Sequence, residues 1–160
     1  MKHFVILSIV LLSSICASAQ ELPNVSQYPA KVEQATVRDI DLASNPKAKE
    51  FETNLEDALA SGVNFAGHFI FAQWGCGSGC VQVAIIDGKT GHVHFPSQLQ
   101  GVTIGSGELQ NSEPLEFKPD SDLLIPNGVP SDSADYGVWY YSWTGTEFKL
   151  IKYVKKSGHA

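Results

Sequence analysis

An α+β fold, one amphipathic helix against a mostly antiparallel sheet of about five to seven strands, is the class that this 160-residue sequence predicts. Three observations predict it. Apolar residues recur at helical spacing in one stretch, residues 46–60. From Phe65 onward the period shortens to two, as strands require. Tight-turn sequences then link successive runs, Asp87-Gly88-Lys89-Thr90-Gly91 and Thr144-Gly145 among them, which suits antiparallel neighbours.

The chain opens on Met1, Lys2 and His3, followed by an apolar run over residues 4–15 broken by Ser8, Ser13 and Ser14. Ala17-Ser18-Ala19 supplies a small-x-small cleavage pattern, so residues 1–19 read as a secretory signal peptide and the mature chain starts at Gln20. The run is too short to be a membrane anchor, which takes about 20 apolar residues. Cys16 offers the alternative of a lipid-modified terminus, but Ile15 stands where such signals place a small residue. What remains is one domain's length. Without Lys2, ten Lys and Arg face 17 Asp and Glu, a mature net charge of −7. That surface repels nucleic acid and anionic headgroups and suits a basic partner, besides keeping the chain in solution.

Residues 20–45, with Pro23 and Pro29, read as an extended N-terminal arm preceding a single α+β domain over 46–160. Ser44-Asn45-Pro46 opens the helix with a capping side chain and a proline at the first helical position. Phe51, Leu55, Ala58 and Leu59 form its apolar stripe, Glu50, Glu52, Glu56 and Asp57 lie in the same stretch, and Gly62 ends it. Strands follow at 65–74, 81–86 and 92–95. Val93 and Phe95 are expected to face the core, which turns His92 and His94 outward. Residues 97–113 read as a loop, 115–117 and 123–125 as short strands, and 126–137 as another loop. A last hairpin pairs 138–144 with 147–154, with Trp139, Tyr141 and Trp143 inward; Lys152, Lys155 and Lys156 form a solvated basic tail.

Asn64-Phe65-Ala66-Gly67-His68-Phe69, then Trp74-Gly75-Cys76-Gly77-Ser78-Gly79-Cys80, then Asp87, Thr90-Gly91 and Val93 make the distinctive stretch. It resembles a family of small exported bacterial proteins with an NFAGHY…WGCGTGC…DxxTGxV signature. The likeness runs from about residue 45 to residue 95 and weakly includes 140–150. Phe69 and Ser78 replace the Tyr and Thr that the family often has. The resemblance implies fold and compartment and transfers no catalytic residues.

Cys76 and Cys80 survive processing, and an even count in an exported chain predicts a disulfide. The chain is expected to reverse as a hairpin, 65–74 with 81–87, tipped by that disulfide. A five-residue ring contributes about 2 kcal/mol on the loop-entropy model. Gly75, Gly77 and Gly79 let the backbone bend and expose N–H groups. Trp74, Gly75, Gly77, Ser78 and Gly79 are therefore the candidate binding residues. Three residues part the cysteines, where thioredoxin-like chemistry uses two.

A metal site is the other candidate, with His68, His92 and His94 as ligands and the cysteines as thiolate partners if reduced. His68 is expected on the Ile70–Ala72–Trp74 strand face, about 20 Å from Trp74 at 3.3 Å per residue, which keeps it from the cysteines. Hydrolase elbows and zinc-protease motifs are missing, and nothing calls for a cofactor. The sequence thus points to a non-enzymatic periplasmic or secreted binding or inhibitory domain. Its partner would be a basic envelope or cell-wall-active protein. The alternative is a metal-binding or thiol-active envelope protein using Cys76, Cys80 and His68.

Overall fold

A computed structural model describes residues 21–103, 114–131 and 133–156. The proposed leader, including Cys16, and most of the expected 97–113 loop lie outside the described residues.

The α+β class and antiparallel pairing are as the sequence predicts. The described strands number eight, however, and divide between two four-stranded sheets. The first sheet holds β1 (Phe69–Gly77), β2 (Cys80–Asp87), β3 (Val93–His94) and β4 (Gln100–Thr103). β2 lies centrally, with β1 along one edge and β3 and β4 sharing the other. The second sheet runs β5-β6-β7-β8, formed by Leu115–Lys118, Ser121–Gly128, Gly137–Trp143 and Phe148–Lys155.

The helix α1 (Glu52–Ser61) starts later than its periodicity predicts. Asn45 does cap, its Oδ1 accepting from the Lys47 N–H at 3.0 Å. But Ala48 N–H bonds to Asn45 O and Glu50 N–H to Lys47 O, three residues apart, so residues 46–50 are turns. The turns bury Ala48 completely and send Phe51 to Trp74 and Phe95, at 5.0 and 5.9 Å between ring centres. Tertiary packing thereby overrides the helical period.

Two apolar layers result. Phe69, Phe71, Val83, Ile85, Leu99 and Val102 of the first sheet and its connection meet the second sheet's Leu115, Leu124, Trp139, Tyr141, Trp143 and Phe148. On the first sheet's other face, Ile70, Ala72, Ala84, Ile86 and Val93 lie under Leu55 of α1 and under Ile40 and Leu42 of the N-terminal segment. β1 and β2 are buried on both faces, which is why Phe69-Ile70-Phe71-Ala72 and Val83-Ala84-Ile85-Ile86 read as unbroken apolar runs.

Residues 21–45 are mostly irregular and bond along the molecule. Ala30 N–H reaches Asp120 O, Glu33 N–H reaches Gly67 O, Thr36 N–H reaches Gly88 O and Asp41 N–H reaches Gly91 O, all at 2.8–3.0 Å.

The expected strand 65–74 is displaced to 69–77, because residues 65–68 make a reversal. Phe65 and Phe69 exchange both backbone hydrogen bonds, at 3.0 and 3.1 Å. Ala66 and Gly67 take positive φ, 43° and 85°. The reversal is anchored to the β5–β6 turn through Gly67 N–H to Pro119 O at 2.7 Å. The expected loop 97–113 contains β4, and the expected loop 126–137 loses its first residues to β6. Both strands hold proline or glycine, the residues that read as loop: Gly101 in β4, Pro126 and Gly128 in β6.

Candidate functional site

The β1–β2 hairpin closes over a two-residue turn, Ser78-Gly79, with Gly77 opposite Cys80. A bulge between Gly75 and Gly77 sets Cys76 out of register. The bulge tightens the local twist and brings Cys76 across to Cys80, with the Cα atoms 5.1 Å apart and a disulfide between them. The staple thus sits at the end of the hairpin, as the sequence predicts.

Gly75, Cys76, Gly77, Ser78 and Gly79 are all exposed. Gly77 and Gly79 hold φ of 131° and 68°, a region that favours glycine. Gly75 does not, and a Cβ built there meets nothing within 4 Å. Neither backbone conformation nor internal packing demands glycine at that position. Trp74 is half-buried, wedged against Phe51, with Phe95 edge-on at 6.5 Å. It shares its face with Ile70 and Ala72.

His68 stands at the opposite end of the hairpin, on the 65–68 reversal and so off the strand where its spacing placed it. Its Nε2 lies 3.6 Å from Asp87 Oδ1, and the two side chains are 25% and 20% exposed. Asp87 also holds the β2–β3 turn, accepting the Lys89 N–H at 2.7 Å. His68 borders a cleft of about 380 Å3 at the seam of the two sheets, with Lys31, Asp122 and Trp143 also on its wall. Burial raises the Asp122 carboxyl above the usual range.

His92 and His94 are neighbours, their rings 4.6 Å apart. His92 is exposed, as expected. His94 is not turned to solvent: it is half-buried, with its ring 5.4 Å from Trp143 of the second sheet. The correction follows from the second sheet, which covers the face that a one-sheet fold would leave wet. Burial, and then the neighbouring His92, hold the His94 imidazole below its ordinary pKa, with Asp87 opposing them.

The structure therefore separates the cysteines from His68, and both sulfurs are spent in the disulfide. Among the described residues no three His, Cys, Asp or Glu side chains are placed to hold a metal ion. The motif residues divide by role. Asn64 behaves as a short piece of strand, its side chain accepting from Phe71 N–H at 2.6 Å and donating to Phe71 O at 3.1 Å. Gly67 admits the Lys31 backbone, and Asp87 organises the following turn. The cleft residues Lys31 and Asp122 carried no sequence signal, since the segments holding them show no period.

Comparison with protein-family models, with curated proteins and with solved structures yields no significant match.

Proposed function

We propose that this chain is an exported, non-enzymatic binding or inhibitory domain that presents the disulfide-closed hairpin tip to a basic envelope or cell-wall-active protein. The observation that carries the reading is Gly75. It is an exposed, side-chain-free position beside a staple, with no internal reason to be glycine, and a partner's surface can approach its backbone closely. The staple limits the ordering entropy lost on docking. The acidic surface supplies attraction to a basic partner.

Export is part of the proposal. It rests on the leader-like first 19 residues, on the disulfide, which persists in oxidising compartments, and on the resemblance to exported proteins at residues 64–93. Among the described residues no helix is long and apolar enough to cross a membrane.

The test is capture from envelope extract with a photo-crosslinking residue at position 78, and with one at position 147 in the β7–β8 turn as control. We expect one basic protein to cross-link from position 78 and not from 147, and the C76S/C80S variant to retain less of it. An N-terminus at Gln20 in the captured protein checks the export step. Equal labelling from both positions, or none from position 78, rejects the tip as the contact.

A further inference from the structure

Helix α1 and the N-terminal segment 37–42 lie side by side on the first sheet and leave a groove of about 700 Å3 between them. One wall is a stripe of α1, Glu52, Glu56, Leu59 and Ala60, at the spacing that puts residues on one helix face. The other wall is Val37, Ile40 and Leu42 with Arg38 and Asp39. Ile40, Leu42 and Leu59 are half-buried and pack at their inner ends against the core beneath the helix. The groove thus has an apolar floor that the fold leaves partly open. Its volume falls in the range of about 300–1,000 Å3 typical of ligand sites.

Its charge is unbalanced. Three carboxylates, Asp39, Glu52 and Glu56, face one guanidinium, Arg38. None of the four is paired among the described residues, where the ion pairs are His68–Asp87, Lys89–Glu33 and Lys155–Asp135. Val37, Ile40, Leu42 and Leu59 beside these carboxylates suit a cation that carries an apolar portion, which is organic.

We propose that this groove seats an extended polypeptide segment in which basic and apolar residues alternate, with its cations against Glu52 and Glu56. The spacing fits. Four residues along a helix advance about 6 Å. Residues i and i+2 of an extended chain lie about 6.7 Å apart on the same face. Two lysines in Lys-x-Lys register therefore match the two glutamates, while the intervening apolar residues turn to the groove's hydrophobic wall. This contact is separate from the hairpin tip and stands whether or not the tip binds.

The probe is a synthetic peptide, acetyl-Leu-Lys-Leu-Lys-Leu-amide, titrated into the full mature protein and followed through the methyl NMR signals of Val37, Ile40, Leu42 and Leu59. Saturable shifts confined to these methyls are expected. E52Q/E56Q should weaken binding about tenfold, and added salt should weaken it too. R38Q should tighten binding by removing a like charge. Glu56 is exposed and Glu52 half-buried, so the methyl spectra of the unbound variants, compared with the native protein's, will show whether their folds are intact. A scrambled peptide, Lys-Lys-Leu-Leu-Leu, should bind less well, and spermidine alone should leave the methyls unmoved. The proposal is overturned by unshifted methyls, by equal binding in E52Q/E56Q, by equal binding of the scrambled peptide, or by spermidine reproducing the shifts.

Discussion

A Cβ on Gly67 would sit 2.6 Å from the Lys31 carbonyl oxygen, on a residue already held at φ 85°. A Cβ on Gly75 would meet nothing within 4 Å and would need no unusual dihedral. The two motif glycines therefore differ: the fold demands glycine at position 67, and nothing within the fold demands it at position 75. Gly67→Ala should destabilise by about 1–3 kcal/mol from backbone strain, with the clash in addition. Gly75→Ala, an exposed change, should alter stability by no more than about 0.5 kcal/mol. It should nevertheless weaken capture of the partner from the tip. Denaturant melts of both variants, set beside cross-linking from position 78, separate the two effects. A large loss of stability in Gly75→Ala would return that glycine to a structural role.

The hairpin is the element on which the staple acts. Its strands are already paired from Phe69–Asp87 to Gly75–Val81, so the disulfide closes a ring that the ladder has nearly closed. Removing it with C76S/C80S should cost about 2 kcal/mol, the loop-closure entropy of so short a ring. The two-sheet core should remain, because its members are distributed over both sheets and over the 65–68 reversal. Urea unfolding of native and variant proteins checks this. The midpoint should fall with the slope unchanged. A change in slope would show that the staple organises more than the tip. At this scale the sequence was legible at the cysteines, where count and compartment predict the bond, and not at the strand limits. The reversal at 65–68 depends on Ala66 and Gly67 meeting the β5–β6 turn and the Lys31 backbone, partners remote in the chain.

Across the whole molecule, the seam between the sheets is aromatic, and His94 is a titrating group at its edge. Phe65, fully buried, lies 5.6–6.4 Å from the rings of Phe71, Phe117, Trp143 and Phe148. His94 closes the edge of this cluster against Trp143. Its imidazole titrates below the ordinary value of 6.5 because burial, and then His92, penalise its charge. The unfolded chain then binds the proton more readily than the folded one, so stability must rise with pH between the folded and unfolded values. The contribution is complete above about pH 6.5 and is lost as pH falls through the lower, folded pKa. The melting temperature of the native protein should therefore drop on acidification below that point. The His94→Gln variant should show a shallower drop. Identical pH profiles for both proteins would place the acid sensitivity elsewhere.

By itself the sequence determined the class of fold, a helix ending at Gly62, the two hairpins expected at 65–87 and 138–154 though not their strand limits, and the disulfide, because each rests on local period, turn chemistry or the proximity of two cysteines. It also determined that Trp139, Tyr141 and Trp143 face inward, since alternation along one strand is a local property. Only the tertiary structure decided that the strands split into two sheets. That division buries β1 and β2 on both sides and brings His94 against Trp143. It also lays residues 37–42 along α1 to form the acidic-rimmed groove. Each of these outcomes depends on which apolar face meets which, and side-chain period names the faces without naming their partners.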